Sequence, residues 1–343
     1  MNLVLDFLSQ NCQRLGLQAN NPPAQLTSVV ATPRFQASAH LIFFVLKSSN
    51  PTPFLVVKVP RLPGDHARLD REAANLRAIH AVRTGGFDSI PKVLAYEDYR
   101  GSRLLVETAL AFPTMRPSLV RRQPQVCTQA LLDWLLELHS ASLPGGGKPG
   151  WFADLVAKPL NELESCLPLS NSERSWLEQT REICQPISDF ALPLVVEHGD
   201  LSSPNILMNE RSQVGVVDWE LALPAGLPAV DLFFFLTYIA FSLQKARKTA
   251  EYVSAFGDAF FGKRAWATPH VLRYAEVLQI SSPTLKPLFL LCWVRYINGL
   301  VQRLKQPQDA KTQLSTDQVN WLRSNRFYAW WTYALDHLND VAF

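Results

Sequence analysis

Apolar residues at Leu3, Val4, Phe7, Leu8 and Leu15 recur at helical spacing, and the run Asn20-Asn21-Pro22-Pro23 stops the helix they predict. Beyond it the pattern shortens. Residues 26–31, 40–46 and 54–59 are dense in Val, Leu, Ile and Phe and read as strands, with Ser48-Ser49-Asn50-Pro51-Thr52-Pro53 as the turn between the last two. A helix follows over about 67–82, then strands at 91–96 and 103–107 around the turn 97–102. From Gln125 the period becomes helical, with Ala130, Leu131, Trp134, Leu135 and Leu138 on one face, and two amphipathic helices follow over about 151–167 and 171–186. Two short apolar runs, 206–208 and 214–217, flank the polar turn Asn209–Gln213 and predict a tight hairpin of buried strands. Leu232–Leu243 is apolar throughout and reads as a buried core helix, with helices from there on.

Five strands with one inserted helix, then mostly helices, predict an α+β chain. A small β-rich lobe spans 1–110 and a larger helical lobe spans 111–343. At 343 residues and 48% hydrophobic the chain is long enough for two cores. A net charge of +3, with no basic run interleaved with aromatics, argues against a nucleic-acid partner. The five cysteines, Cys12, Cys127, Cys166, Cys184 and Cys292, show no C-x-x-C spacing and read as reduced core residues of a cytosolic protein. Asp6 among the first apolar residues, with no basic segment before them, does not fit a signal peptide. Leu232–Leu243 is shorter than the ~20 residues a membrane span needs. The expectation is a cytoplasmic protein with no membrane span; nothing in the pattern specifies an oligomeric state.

The candidate chemistry lies in Val195-Val196-Glu197-His198-Gly199-Asp200-Leu201-Ser202-Ser203-Pro204-Asn205 and, after the hairpin, in Asp218-Trp219-Glu220. Asp200, Asn205 and Asp218 fall in loops at strand ends. A carboxylate, a carboxamide five residues on and a second carboxylate across a hairpin suit metal-assisted phosphoryl transfer: one group takes the proton of an attacking hydroxyl, and two hold magnesium against a triphosphate. A lone Asp in a loop usually caps a turn.

His198-Gly199-Asp200, Asn205 and Asp218-Trp219-Glu220 resemble the aminoglycoside phosphotransferase and choline kinase-like family. The resemblance implies a two-lobed protein kinase-like fold and transfer of the ATP γ-phosphoryl group to a hydroxyl of a small molecule. Against the family name, the ten Lys or Arg of residues 232–305, set against Glu251, Asp258 and Glu276, favour a sugar or amino-alcohol type of acceptor over a polycationic aminoglycoside. The resemblance makes Asp200 the catalytic base and Asn205 and Asp218 magnesium ligands, and places Glu220 either near the metal through a water or as a structural acceptor. It pairs Lys58 with Glu72 beside the α and β phosphates; an edge-strand lysine with a solvated head is the alternative. It puts the adenine against backbone groups of Glu107-Thr108-Ala109-Leu110, gives Asp231 the task of tying its helix to the catalytic loop, and makes His198 a loop organiser whose imidazole bonds a carbonyl. The stretch Thr32–Ala39 stands where kinases carry a glycine-rich phosphate loop, and it has no glycine. The small residues Ala37, Ser38 and Ala39 still allow backbone N–H groups to approach phosphate oxygens. That departure keeps a second reading open, a catalytically silent nucleotide-binding or scaffold member of the fold. Gly145-Gly146-Gly147-Lys148 lacks the rest of a P-loop and reads as a connector.

Overall fold

The computed structural model describes residues 2–17, 26–31, 40–47, 50–142, 149–304 and 314–343. The expected phosphate loop with Ser38 and the glycine connector 145–147 lie outside these residues. The chain divides into two compact units, Met1–Thr114 with Pro204–Ala222, and Met115–Ser203 with Leu223–Phe343.

The first unit opens with α1 (Leu3–Gln10), capped by the Asn2 side chain, which accepts from the Val4 N–H. The pattern predicted a helix reaching Leu15, but it ends at Gln10: Asn11 leaves helical dihedrals at φ −110° and ψ 12°, and its N–H and side-chain amide both bond the Phe7 carbonyl as a cap. Five strands, β1 (Leu26–Ala31), β2 (His40–Lys47), β3 (Leu55–Pro60), β4 (Val93–Tyr99) and β5 (Ser102–Thr108), form an antiparallel sheet in the order β1-β2-β3-β5-β4. The helix α2 (Ala67–Ala81) is inserted between β3 and β4. Strand alternation sends Leu55, Val57, Val59, Leu104 and Val106 into a core with Val4, Phe7 and Leu8 of α1. The opposite face packs Leu105 against Leu69 and Ala73 of α2. The predicted hairpin is present as β7 (Ile206–Met208) and β8 (Val214–Val216), following β6 (Val195–Glu197) of the second unit. It is stitched to the first unit by main-chain bonds from Met208 N–H to the Pro113 carbonyl and from Val216 N–H to the Ser89 carbonyl, both 2.9 Å.

The second unit is mostly helical: α3 (Pro117–Arg122), α4 (Pro124–Ser142), α5 (Lys158–Cys166), α6 (Asn171–Cys184), α7 (Val230–Gln244), α8 (Thr249–Phe260), α9 (Thr268–Val277), α10 (Ser282–Leu304), α11 (Thr316–Arg323) and α12 (Arg326–Asp336), with β6 paired to β9 (Leu223–Gly226). The helix expected over 151–167 is interrupted by a π turn at Ala153–Ala157 before α5 begins; Pro159, which has no N–H, cannot continue the α-helical ladder backward. Helix α7 is apolar on every side and is buried as expected, its Phe233 ring 5.1 Å from Phe289, which also meets Phe256 and Phe260. Among the described residues no single helix is long and apolar enough to cross a membrane. The pair α9 and α10 passes that test only jointly and is bent by 116°.

Candidate active site

In the first unit the site grows from the alternation along β3. Val57 and Val59 face the apolar core, so Lys58 must face the other way, toward α2. Strand β3 is central, and Lys58 is 4% exposed, so the reading as an edge lysine with a solvated head does not hold. Its ammonium lies 2.5 Å from Glu72 Oε1 and 3.4 Å from Glu107 Oε1. Glu72 comes from α2; Glu107 lies diagonally across on β5, where Val56 and Lys58 pair with Glu107 and Leu105. Burial alone would lower the Lys58 pKa, but the charges of Glu107, Glu72 and Asp218 outweigh it and hold the ammonium above the ordinary lysine value. One cation cannot neutralise two buried carboxylates. Burial accordingly raises Glu72, and pushes Glu107 up to about 8, against the pull of Lys58.

That excess has a measurable consequence. The folded protein holds a proton on Glu107 that the unfolded chain, with a value of 4.5, releases, so stability falls as pH rises from there toward 8. Glu107→Gln is expected to flatten this fall by an amount on the order of 1 kcal/mol per pH unit. Thermal unfolding of both proteins over the range settles it; parallel profiles would count against a protonated Glu107.

One face of α2 grips the segment that carries Asp218. Arg68, Glu72 and Asn75, at i, i+4 and i+7, point the same way. Arg68 Nη1 is 3.4 Å from Glu220 Oε1, Glu72 Oε1 accepts the Trp219 N–H at 3.1 Å, and the Asn75 amide donates to the Trp219 and Ala222 carbonyls, each at 2.9 Å. Trp219 is fully buried and its indole N–H bonds the Val216 carbonyl. These bonds hold Asp218 at φ 70°, a left-handed conformation that a non-glycine residue keeps only where its surroundings over-determine it. Val217 N–H donates to the Asn205 carbonyl at 3.0 Å, bringing the buried Asn205 beside the same strand end. Asp218 Oδ1 and Glu220 Oε2 are buried and have no hydrogen-bond partner. Burial, then the charge of Asp218, pushes Glu220 up to about 7.

In the second unit Asp200 sits in a loop fixed through its main chain. The carboxylate of Asp231, in the first turn of α7, accepts the N–H groups of His198 at 2.6 Å and Gly199 at 2.9 Å, and Gly199 takes φ 81° to allow it. His198 Nδ1 accepts the Asp200 N–H at 3.1 Å, so the ring helps to organise the loop. Glu197 is held by Arg295 at 2.5 Å and by the Leu227 N–H. Burial, then the Glu197 charge, pushes Asp231 up to about 7.

The first unit therefore brings Lys58, Glu72, Glu107, Asp218 and Glu220 together, with Asn205 beside them, and Asp200 belongs to the second unit. Ala109 donates its N–H to the Phe54 carbonyl at 3.1 Å, so that amide is already engaged. Three side-chain contributions went unread in the sequence. Asn75 and Arg68 share a face with Glu72, and their spacing was the available signal; the turn of the Glu107 side chain toward Lys58 followed only from the β3–β5 register. The oxygens of Asp218, Glu220 and Asn205 are hard donors, two of them buried and unpartnered, and suit a small divalent cation. Among the described residues no three His, Cys, Asp or Glu side chains form a metal cage, so a cation here needs further oxygen ligands from phosphates or water.

A family model described as phosphotransferase enzyme family matches residues 38–272. No curated protein matches the chain at a significant level. Among solved structures, a choline/ethanolamine kinase family protein from Mesorhizobium loti is 16% identical, with 96% of this chain and 99% of that one covered and a TM-score of 0.53. Amicoumacin kinase, in complex with AMP-PNP, Ca2+ and amicoumacin, is 14% identical over 100% and 98% of the two chains with a TM-score of 0.52. A thermostable mutant of an aminoglycoside phosphotransferase, with ADP and hygromycin B, is 14% identical over 90% and 94% with a TM-score of 0.54. At these identities the likeness is one of fold, and the fold is protein kinase-like.

Proposed function

The chain belongs to the phosphotransferase enzyme family, and from that footing we propose that it is a small-molecule kinase, transferring the γ-phosphoryl group of ATP to an alcohol. The observation that carries the reading is the buried Lys58–Glu72–Trp219 linkage beside the unpartnered oxygen of Asp218. In this reading Lys58, aligned by Glu72, binds the α and β phosphates; the backbone of Ser38 and its neighbours approaches the phosphates; and main-chain groups of Glu107–Leu110 other than the Ala109 N–H meet the adenine. Asp218 and Asn205 would hold magnesium, with Glu220 as a further oxygen donor. Bound there, the cation offsets phosphate charge and polarises the transferring group. Asp200 takes the hydroxyl proton as the new P–O bond forms and the bond to the β-phosphate oxygen breaks. The same reading places the protein in the cytoplasm, where its donor is abundant.

The acceptor is proposed to be neutral or anionic. Residues 232–305 carry ten Lys or Arg against Glu251, Asp258 and Glu276 alone, a poor lining for a polycation. The test is an ATP-consumption screen over sugars, amino alcohols, nucleosides and aminoglycosides. Turnover of a sugar or sugar derivative is expected, and saturable phosphorylation of kanamycin at micromolar KM with no turnover of sugars or amino alcohols would overturn the acceptor class. The glycine-free stretch Thr32–Ala39 favours a second reading, a nucleotide-binding module without catalysis. Nucleotide binding with no turnover in that screen would select it.

A further inference from the structure

Arg326, the first residue of α12, has its guanidinium carbon 5.3 Å from the ring centre of Phe241, 5.1 Å from Tyr252, 5.4 Å from Phe327 and 5.7 Å from Trp330. Four aromatic rings hold it, and among the described residues no carboxylate or other hydrogen-bond acceptor meets it. Other arginines of the same unit are held differently: Arg323 makes two bonds to Glu173, Arg295 pairs with Glu197 and Arg273 with Asp133. Ring faces stabilise the cation electrostatically but accept none of its five N–H groups well, so a guanidinium held this way retains its fork for an anion.

The rings around Arg326 continue toward the Asp200 loop. Phe327 lies 5.4 Å from Tyr296, which stacks on Phe234 at 3.8 Å and 16°. The Tyr296 hydroxyl is buried and has no hydrogen-bond partner. Burial raises its pKa, and Asp200 is among the charges that add to the shift, after Asp231 and Cys292. A carboxylate, an unsatisfied phenol, an aromatic face and an unpaired guanidinium thus follow one another within a single unit.

Resting on the phosphotransfer reading, we propose that Arg326 determines acceptor specificity: the acceptor carries a carboxylate or phosphate, which the Arg326 fork binds, and Tyr296 bonds its polar body. An alkylammonium compound, which an aromatic box would otherwise attract, finds this box filled by the chain's own cation.

The test is calorimetric binding of a matched series, glucose, gluconate, glucose 6-phosphate, glucosamine and choline, to the wild type and to Arg326→Met, which keeps an unbranched side chain among the rings. Gluconate or glucose 6-phosphate is expected to bind the wild type about 10–100-fold more tightly than glucose, with glucosamine and choline weaker still, and Arg326→Met to lose that preference. Which of the two anions is preferred tells a carboxylate acceptor from a phosphorylated one. Equal affinities across the wild-type series, no binding by either anion, or an undiminished preference in the variant would each overturn the proposal. If Arg326→Met does not fold, the wild-type order and its weakening with salt decide. Stabilisation by magnesium and nucleotide is measured alongside. Its absence would sink the phosphotransfer reading and leave the anion affinities standing, whereas its presence without anion preference would sink only this inference.

Discussion

Asp200→Asn is expected to lower kcat by roughly 10²–10⁴ while leaving fold and nucleotide affinity nearly unchanged, the scale associated with losing a positioned base. The structure bears on the second half of that expectation, the retained fold. The loop is held through main-chain N–H groups, those of His198 and Gly199 on Asp231 and that of Asp200 on His198 Nδ1, and none of these depends on the Asp200 carboxylate. A carboxamide occupies the same space but cannot accept a proton at neutral pH. Steady-state kinetics on an acceptor found in the screen, with thermal unfolding as the control, is the measurement. A variant retaining most of the wild-type kcat would remove Asp200 from the role of base.

The second large effect concerns the donor. Asp218→Ala is expected to abolish the magnesium-dependent stabilisation that ATP confers, which at a hundred times Kd amounts to about 2.7 kcal/mol. Without that oxygen the phosphates' charge is left uncompensated. Because Asp218 stands at φ 70°, where alanine is strained, Asp218→Asn is the companion variant that keeps the turn while removing the charge. Lys58→Ala is expected to weaken the stabilisation less, since the hard oxygen ligands remain, although it strips Glu72 and Glu107 of their shared cation. Equal magnesium-dependent shifts in the wild type and both Asp218 variants would refute the metal assignment. No shift with any nucleotide in the wild type would point to another function.

The strands, the inserted helix and the hairpin were legible because each rests on a local period or a turn signal: alternation put Lys58 opposite Val57 and Val59, and Asn209–Gln213 marked the turn. The end of α1 was not legible, because the cap at Asn11, whose N–H and side-chain amide both bond the Phe7 carbonyl, falls inside a hydrophobic pattern that runs on to Leu15. Nor was the π turn before α5, where Pro159 acts on residues ahead of it. At the site, Asp218 and Glu72 were visible from spacing and resemblance. Glu107 was read for its backbone, and its side chain proved to be the second partner of Lys58; only strand register shows that, and register is a long-range property. Asn75 was missed because an amide on a helix carries no motif of its own.

The division of the chain also bears on how the protein is made. The first unit takes in Pro204–Ala222 from beyond the helices 115–203, and Glu72 finds the Trp219 N–H 147 positions later. A ribosome that has released only Met1–Thr114 has supplied the five-stranded sheet but not the hairpin that completes it. The ammonium–carboxylate cluster is then open on the side that Trp219 will cover. Completion waits until about two thirds of the chain has emerged, and at roughly 5–20 residues per second that is an interval of seconds in which Lys58, Glu72 and Glu107 lack the Trp219 segment that closes over them.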